Sequence, residues 1–172
     1  MLVQEVGDSV MKYISAVIAV GDIKKSREFY EEILGQKVKI DLGDYVVYEG
    51  EFAIMKPFAE LLELDRSTVV KRSHNFELYF EVDDFDEFLK RFDKNGDIKY
   101  VHGPKKHEWQ QRVVRIYDPD DNIIEIGEAI GTIVKRFLEQ GLSIEETAAI
   151  VQQPLEYVRS MIPDNFAEEG NV

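Results

Sequence analysis

Cysteine is absent from the 172 residues, so the chain can form no disulfide, offers no thiolate nucleophile and cannot build a cysteine-based zinc site. Basic residues are scarce as well. Against 34 acidic side chains there are 21 basic ones, a formal charge of -13, which repels phosphate backbones and anionic headgroups at long range. Neither nucleic acid nor a membrane surface is therefore expected as a partner. Long apolar runs are missing too. The stretch Ile14 to Val20 is far too short to span a bilayer and is followed by Gly21-Asp22 rather than by a small-residue cleavage site, which predicts a cytoplasmic protein. With 44% hydrophobic and 11% aromatic residues, the chain has material for one sizeable core.

The order of elements repeats. YISAVIAV, residues 13–20, is a short β-branched apolar run, as a buried strand would be. DIKKSREFYEEILG, 22–35, places Ile23, Phe29, Tyr30, Ile33 and Leu34 on one helical face, with Asp22 to cap its start and Gly35 to close its end. Three short strands are predicted at 37–42, 44–48 and 52–56. A connector over 57–74 begins at Pro57 and holds one helical turn in FAELLEL. FELYFEV, 76–82, then reads as a strand, and DFDEFLKRFDKNG, 84–96, as a helix with Phe85, Phe88, Leu89 and Phe92 on one face and an Asp84/Glu87 capping pair. Strands at 97–102, 111–117 and 123–128 complete the second unit. A shift of 62 residues lays Val20, Asp22 and Ile23 on Val82, Asp84 and Phe85. Such a duplication predicts two related modules, each leaving one sheet face uncovered.

VGDIKKSREFYEEILG, FEVDDFDEFLKRF and RVVRIYDPDDNIIEIGE together resemble the vicinal oxygen chelate superfamily, which includes glyoxalase I, bleomycin-resistance proteins and extradiol dioxygenases. The resemblance implies an α+β fold in which two βαβββ modules form a cupped mixed sheet around a cleft. It also implies, in many members, a divalent metal held by one residue from each of four strands. The glyoxalase-like domain is expected over 11–129, with modules at about 12–56 and 75–128, and a helical appendage over 130–163. Residues 1–10 and 164–172 are expected to be flexible.

Side chains alternate across a strand, so Glu125 should face away from the helix side chosen by Ile124 and Ile126. On the strand at 76–82 the same alternation leaves Glu77, Tyr79 and Glu81 opposite the helix-packing set. Glu125 and Glu77 match metal-ligand positions of the superfamily. The 62-residue shift carries Glu77 onto Ser15, and matching the two terminal hairpins places Ile54 against Glu125. The implied metal residues are thus Glu77, Glu125 and Ser15, an incomplete set for Mg, Mn, Ni or Zn. It lacks the histidines that extradiol dioxygenases need, and a hard cation held loosely with water, or no metal at all, both fit it. Counting back from the turn 118–122 puts Arg115 opposite Glu125. That pair reads either as a structural ion pair or as a pocket floor, with Glu125 a general base and Arg115 its electrostatic partner. The catalytic candidates are Glu125, Glu77 and Arg115.

In the segment VHGPKKHEWQQR, 101–112, read as a loop, His102, His107 and Trp109 could line a pocket or simply meet solvent. Gln110 and Asp121 stand where relatives carry glycine. Tyr79, Trp109, His107 and Tyr48 are the candidate substrate-binding residues. Past Gly131, GTIVKRFLEQGLS, a Ser143/Glu146 capping box and Pro154 predict two or three short helices. Their faint helix-turn-helix likeness carries one cation, Arg159, too few for phosphate contact. The expected function is a glyoxalase-like small-molecule protein, possible as a metal-assisted lyase or isomerase or, alternatively, as a non-catalytic sequestration protein of the bleomycin-resistance kind. A homodimer is expected.

Overall fold

The computed structural model describes residues 11–94 and 98–162. The expected lead-in 1–10 and tail 164–172 lie outside the described residues, as do the helix end near Gly96 and the strand start at 97. The chain forms two compact units, Met1–Val70 and Lys71–Val172. Among the described residues no helix is long and apolar enough to cross a membrane.

In the first unit β1 (Ala16–Ala19) leads into α1 (Ile23–Arg27), β2 (Val38–Asp41), β3 (Tyr45–Tyr48), β4 (Phe52–Met55) and α2 (Phe58–Leu61). Asp22 caps α1 by accepting from the Lys25 amide. The single helix expected over 22–35 widens instead into a π-helical segment at Glu28–Ile33, whose Leu34 amide reaches the Phe29 carbonyl. Both Phe29 and Tyr30 are buried on it. Gly35, at φ 67°, closes the segment in the left-handed region. The sheet runs β1-β4-β3-β2, with β1 parallel to β4 and the other pairs antiparallel. Tyr30 and Tyr48, both fully buried, pack with Phe52 at ring separations of 4.7 to 5.8 Å.

The second unit repeats this plan. β5 (Glu77–Val82), α3 (Phe85–Asp93), β6 (Tyr100–Lys106), β7 (Arg112–Tyr117) and β8 (Ile123–Glu128) give a sheet of order β5-β8-β7-β6, with β5 parallel to β8. Two βαβββ modules with the same strand order account for the duplication in the sequence. Phe85, Phe88 and Phe92 of α3 are buried, as are Ile116, Ile124 and Ile126 of the sheet. Of the face the helical period selects, Leu89 is only half-buried, while Ile124 and Ile126 are the pair that strand alternation selects. Asp84 caps α3 through the Glu87 amide.

Residues 101–106 are not the loop expected from the sequence but belong to β6. The register of β6 on β7 breaks on both sides of His102, so Gly103-Pro104 is absorbed as an irregularity. β6 is an edge strand, where a proline that lacks an amide donor leaves no ladder position unfilled. Only 107–111 remain as a tight turn.

After β8 come α4 (Ile130–Glu139), α5 (Ile144–Val151) and α6 (Leu155–Ser160). Ser143 and Glu146 form the expected reciprocal capping box at α5. Ile130, Ile133, Val134, Ala148, Val151 and Val158 make a separate small core, and Trp109 of the β6–β7 turn packs against it.

Candidate functional site

On the face of the second sheet opposite α3, one residue from each strand stands beside the next. Tyr79 of β5 pairs with Glu125 of β8, Glu125 with Arg115 of β7, and Arg115 with His102 of β6. Backbone register thus lines up a phenol, a carboxylate, a guanidinium and an imidazole across four strands, at the short lateral spacing of paired strands. Glu77, two residues before Tyr79, shares their face.

Arg115 is the hub of this row. Its Nε donates to Glu77 Oε2 at 2.9 Å, its Nη1 meets His102 Nε2 at 3.1 Å, and its Nη2 pairs with Glu125 Oε2. A guanidinium only donates, so His102 Nε2 must accept. The ring proton therefore sits on Nδ1, which lies 2.8 Å from the Gly103 carbonyl. Glu77 stays exposed whereas Glu125 is 7% exposed. Burial pushes the Glu125 carboxyl above the ordinary carboxylate range; Arg115 opposes that and the nearby Glu77 charge adds to it. Such a group is a stronger base than a free glutamate.

A second polar chain borders the row. Gln111, 4% exposed, donates through Nε2 to the Tyr79 hydroxyl at 2.6 Å and to the Glu128 carbonyl at 2.9 Å. Its Oε1 accepts from Trp109 Nε1 at 2.9 Å. The Tyr79 hydroxyl in turn donates to Glu81 Oε1 at 2.6 Å. Burial first, and then the Glu81 carboxylate, hold the Tyr79 proton more firmly than in a free phenol. Gly127 lies beneath this chain: a Cβ there would come within 2.7 Å of Gln111 Nε2 and 3.1 Å of Tyr79 Cε2. Gln111 cannot yield without losing three hydrogen bonds. Gly127→Ala is accordingly expected to cost about 1–3 kcal/mol, read by urea denaturation. It should also shift the emission of the lone tryptophan, whose indole N–H loses its acceptor; unchanged emission and stability would contradict the arrangement.

The remaining candidates fall elsewhere. His107 stacks on Trp109, with ring centroids 4.1 Å apart and planes 3° from parallel. Tyr48 lies in the helix-side core of the first unit, fully buried, with its hydroxyl on Glu31. Ser15 is half-buried just ahead of β1. Ile54 does not correspond to Glu125. In the second sheet Tyr79 pairs with Glu125, and the equivalent strand position Val17 pairs with Ala53. Ile54 shares the face of Phe52, which packs on Tyr30 under the helix. Matching the hairpins by sequence slipped the register by one residue, which turns a strand position to its other face. Gln110 and Asp121 both adopt positive φ, 71° and 65°, so these turns keep a glycine-like backbone without glycine.

A divalent cation does not fit the donors around Arg115 as they stand. Among the described residues no three histidine or acidic side chains are placed to hold a metal ion. Glu77 and Glu125, two of the implied ligands, are both spent on the guanidinium.

The sequence reasoning passed over Gln111 and the buried Glu128. Glu128, 2% exposed, closes β8 and receives Arg112 at 3.2 Å and Arg136 of α4 at 2.7 Å, while Arg112 also reaches Asp86 of α3 at 2.9 Å. Burial alone would raise the Glu128 carboxyl, but the two arginines bring it below the ordinary range. The register that pairs Arg115 with Glu125 puts Arg112 opposite Glu128 when continued to the strand ends. The signal was therefore present in the sequence.

Two βαβββ modules of the same strand order are the plan implied by the resemblance to the vicinal oxygen chelate superfamily. The sequence model of the glyoxalase-like domain family matches residues 13–131, and the chain belongs to that family. It is 30% identical over 125 residues to the uncharacterized protein YraH of Bacillus subtilis, spanning 67% of this chain and 97% of that one. It is 29% identical over 128 residues to a lactoylglutathione lyase of Neisseria meningitidis, spanning 67% and 88%. Among solved structures, a protein of unknown function from Agrobacterium tumefaciens aligns with a TM-score of 0.60 at 32% identity, over 70% of this chain and 95% of that one. A glyoxalase/bleomycin resistance/dioxygenase family enzyme from Burkholderia phytofirmans shares the fold at a TM-score of 0.59, with 18% identity, over 69% and 98%.

Proposed function

We propose that the chain is a lyase or isomerase acting on a small carbonyl compound at the exposed face of the second sheet. Glu125 serves as general base and Arg115 as the group that meets the carbonyl oxygen. The observation that carries this reading is the row itself: a buried carboxylate of raised basicity, registered directly beside a guanidinium. A guanidinium has five N–H donors, of which three are engaged by Glu77, His102 and Glu125. The other two remain to receive an oxygen on which negative charge develops.

The step balances with these groups alone. Glu125 takes the proton from the carbon next to the carbonyl, the C–H electron pair becomes a C=C bond, and the carbonyl π pair moves to the oxygen facing Arg115. On an α-hydroxy carbonyl compound, returning that proton to the former carbonyl carbon completes an isomerisation, as the α-hydroxyl passes its proton to the old carbonyl oxygen and becomes the new carbonyl; where the β-carbon carries a leaving group, its departure with the bonding pair as the carbonyl re-forms makes the reaction a lyase step. The likeness to lactoylglutathione lyases supports carbonyl chemistry of this kind.

The test is solvent exchange. Proton NMR in deuterium oxide follows lactoylglutathione and a panel of α-hydroxy and α-keto carbonyl compounds with the untagged protein. Deuterium appearing at the carbon beside the carbonyl, at a rate proportional to protein, is the expected result. Binding seen by saturation transfer, without exchange in any member, would overturn the catalytic reading and leave a sequestration protein.

A further inference from the structure

Two carboxylates and one imidazole, supplied by β5, β8 and β6, converge on a single cation. That cation is the side chain of Arg115 on β7. We propose that Arg115 is a built-in substitute for a divalent metal ion, and that removing it uncovers a latent metal site made of Glu77, His102 and Glu125.

The donor chemistry argues for this. A neutral imidazole with a free Nε2 lone pair and two carboxylates is a set that divalent first-row ions accept. The His102 ring is held ready for such a role: its Nδ1 proton is turned to the Gly103 carbonyl, leaving Nε2 as the atom that faces the cation. This is the tautomer and the outward support that a ligating histidine requires. As placed, the three side chains form no metal-holding group, so closing on an ion requires them to move into the space the guanidinium leaves. His102 and Glu125 flank Arg115 on the neighbouring strands, so their backbones stand about 10 Å apart, two strand spacings. Side chains of glutamate and histidine reaching inward from both sides can close on an ion at about 2.0–2.2 Å. With the guanidinium in place they are spread around three nitrogens and meet no common point, and its positive charge repels a second cation. Without it, Glu77 and Glu125 lose their shared counter-charge, and an incoming ion restores it.

The proposal stands apart from the reaction proposed above, because its test needs no substrate. Untagged wild type, Arg115→Ala, and Arg115→Ala combined with Glu125→Gln are stripped with chelator and dialysed against Mn²⁺ or Ni²⁺. The retained metal is then measured, and thermal unfolding is recorded with and without the ion. Wild type is expected to retain less than about a tenth of an equivalent, Arg115→Ala roughly one equivalent with a raised Tm, and the double variant again almost none, since only binding to the folded state stabilises. Should Arg115→Ala fail to fold, Arg115→Met keeps most of the side-chain volume and is read in the same way. A wild-type protein that holds a stoichiometric ion lost on Glu125→Gln would overturn the proposal, and so would a folded Arg115 variant that retains none. Neither outcome depends on whether any carbonyl compound is turned over.

Discussion

Replacing Glu125 by glutamine is expected to slow solvent exchange at the substrate carbon by about 100- to 10,000-fold, the usual worth of a positioned base. Substrate binding should change far less, because the amide keeps the shape and one acceptor oxygen. Activity of the wild type requires the ionised carboxyl. Burial lifts its pKa, against the pull of Arg115, so the acid limb of the pH–rate profile should lie above the ordinary carboxylate range and vanish in the variant. The same shift has a consequence for stability. A group whose folded pKa is raised contributes stability that is fully present below its unfolded pKa and is lost as the pH climbs through the folded value. Glutamine imitates the protonated form, so at neutral pH the variant should melt at or above the wild-type temperature. A variant that loses both activity and several degrees of Tm would mean that the Arg115 pair outweighs desolvation and that the Glu125 pKa is lowered rather than raised.

The largest loss of stability is expected from the double change Arg112→Ala and Arg136→Ala, which strands the Glu128 carboxylate in the interior of the second unit. Breaking a buried ion pair from one side typically costs about 3–5 kcal/mol. Both arginines keep roughly a third of their surface in water, so a value near the lower end, about 3 kcal/mol, is expected by urea denaturation. Arg136→Ala alone should cost less than half of this, since Arg112 still serves both carboxylate oxygens; Arg112→Ala should cost more, because Arg136 reaches Oε1 alone. The dependence on pH should also invert. In the wild type the lowered Glu128 pKa supplies stability above its unfolded value, and this is lost as the pH falls through the folded value. With both arginines gone, burial alone acts and raises that pKa, so mild acid should stabilise the double variant. A double variant within about 0.5 kcal/mol of the wild type would show that water already solvates Glu128.

Much of this was legible in the chain. The i, i+3, i+7 spacing of Phe85, Phe88 and Phe92 places α3 correctly, and alternation alone separates Ile124 and Ile126 from Glu125. Counting antiparallel partners from the 118–122 turn finds the Arg115–Glu125 pair because a hairpin register propagates from its turn. Counting fails where the ladder is irregular: β6 breaks register on both sides of His102, so no arithmetic links His102 to Arg115. Matching the first module to the second by its hairpin failed for a related reason. The turns differ, and only the parallel β1–β4 ladder shows that Ala53, not Ile54, answers to Glu125. For Tyr48 the sequence leaves a pocket wall and an ordinary core residue both open, and the structure places it in the core, since the side a short strand turns inward is decided by its helix. The π-helical widening at Glu28–Ile33 is invisible to a pattern that assumes one helical period.

The four-strand row separates two jobs that active surfaces often mix. Main-chain ladders hold the sheet together whatever the side chains are, while each strand lends the surface its own outward groups. Exchanging one such group for another therefore alters the chemistry without rethreading the polypeptide. A scaffold of this kind can be retooled in single steps during descent, with the guanidinium, the carboxylate and the imidazole each acting as a replaceable part.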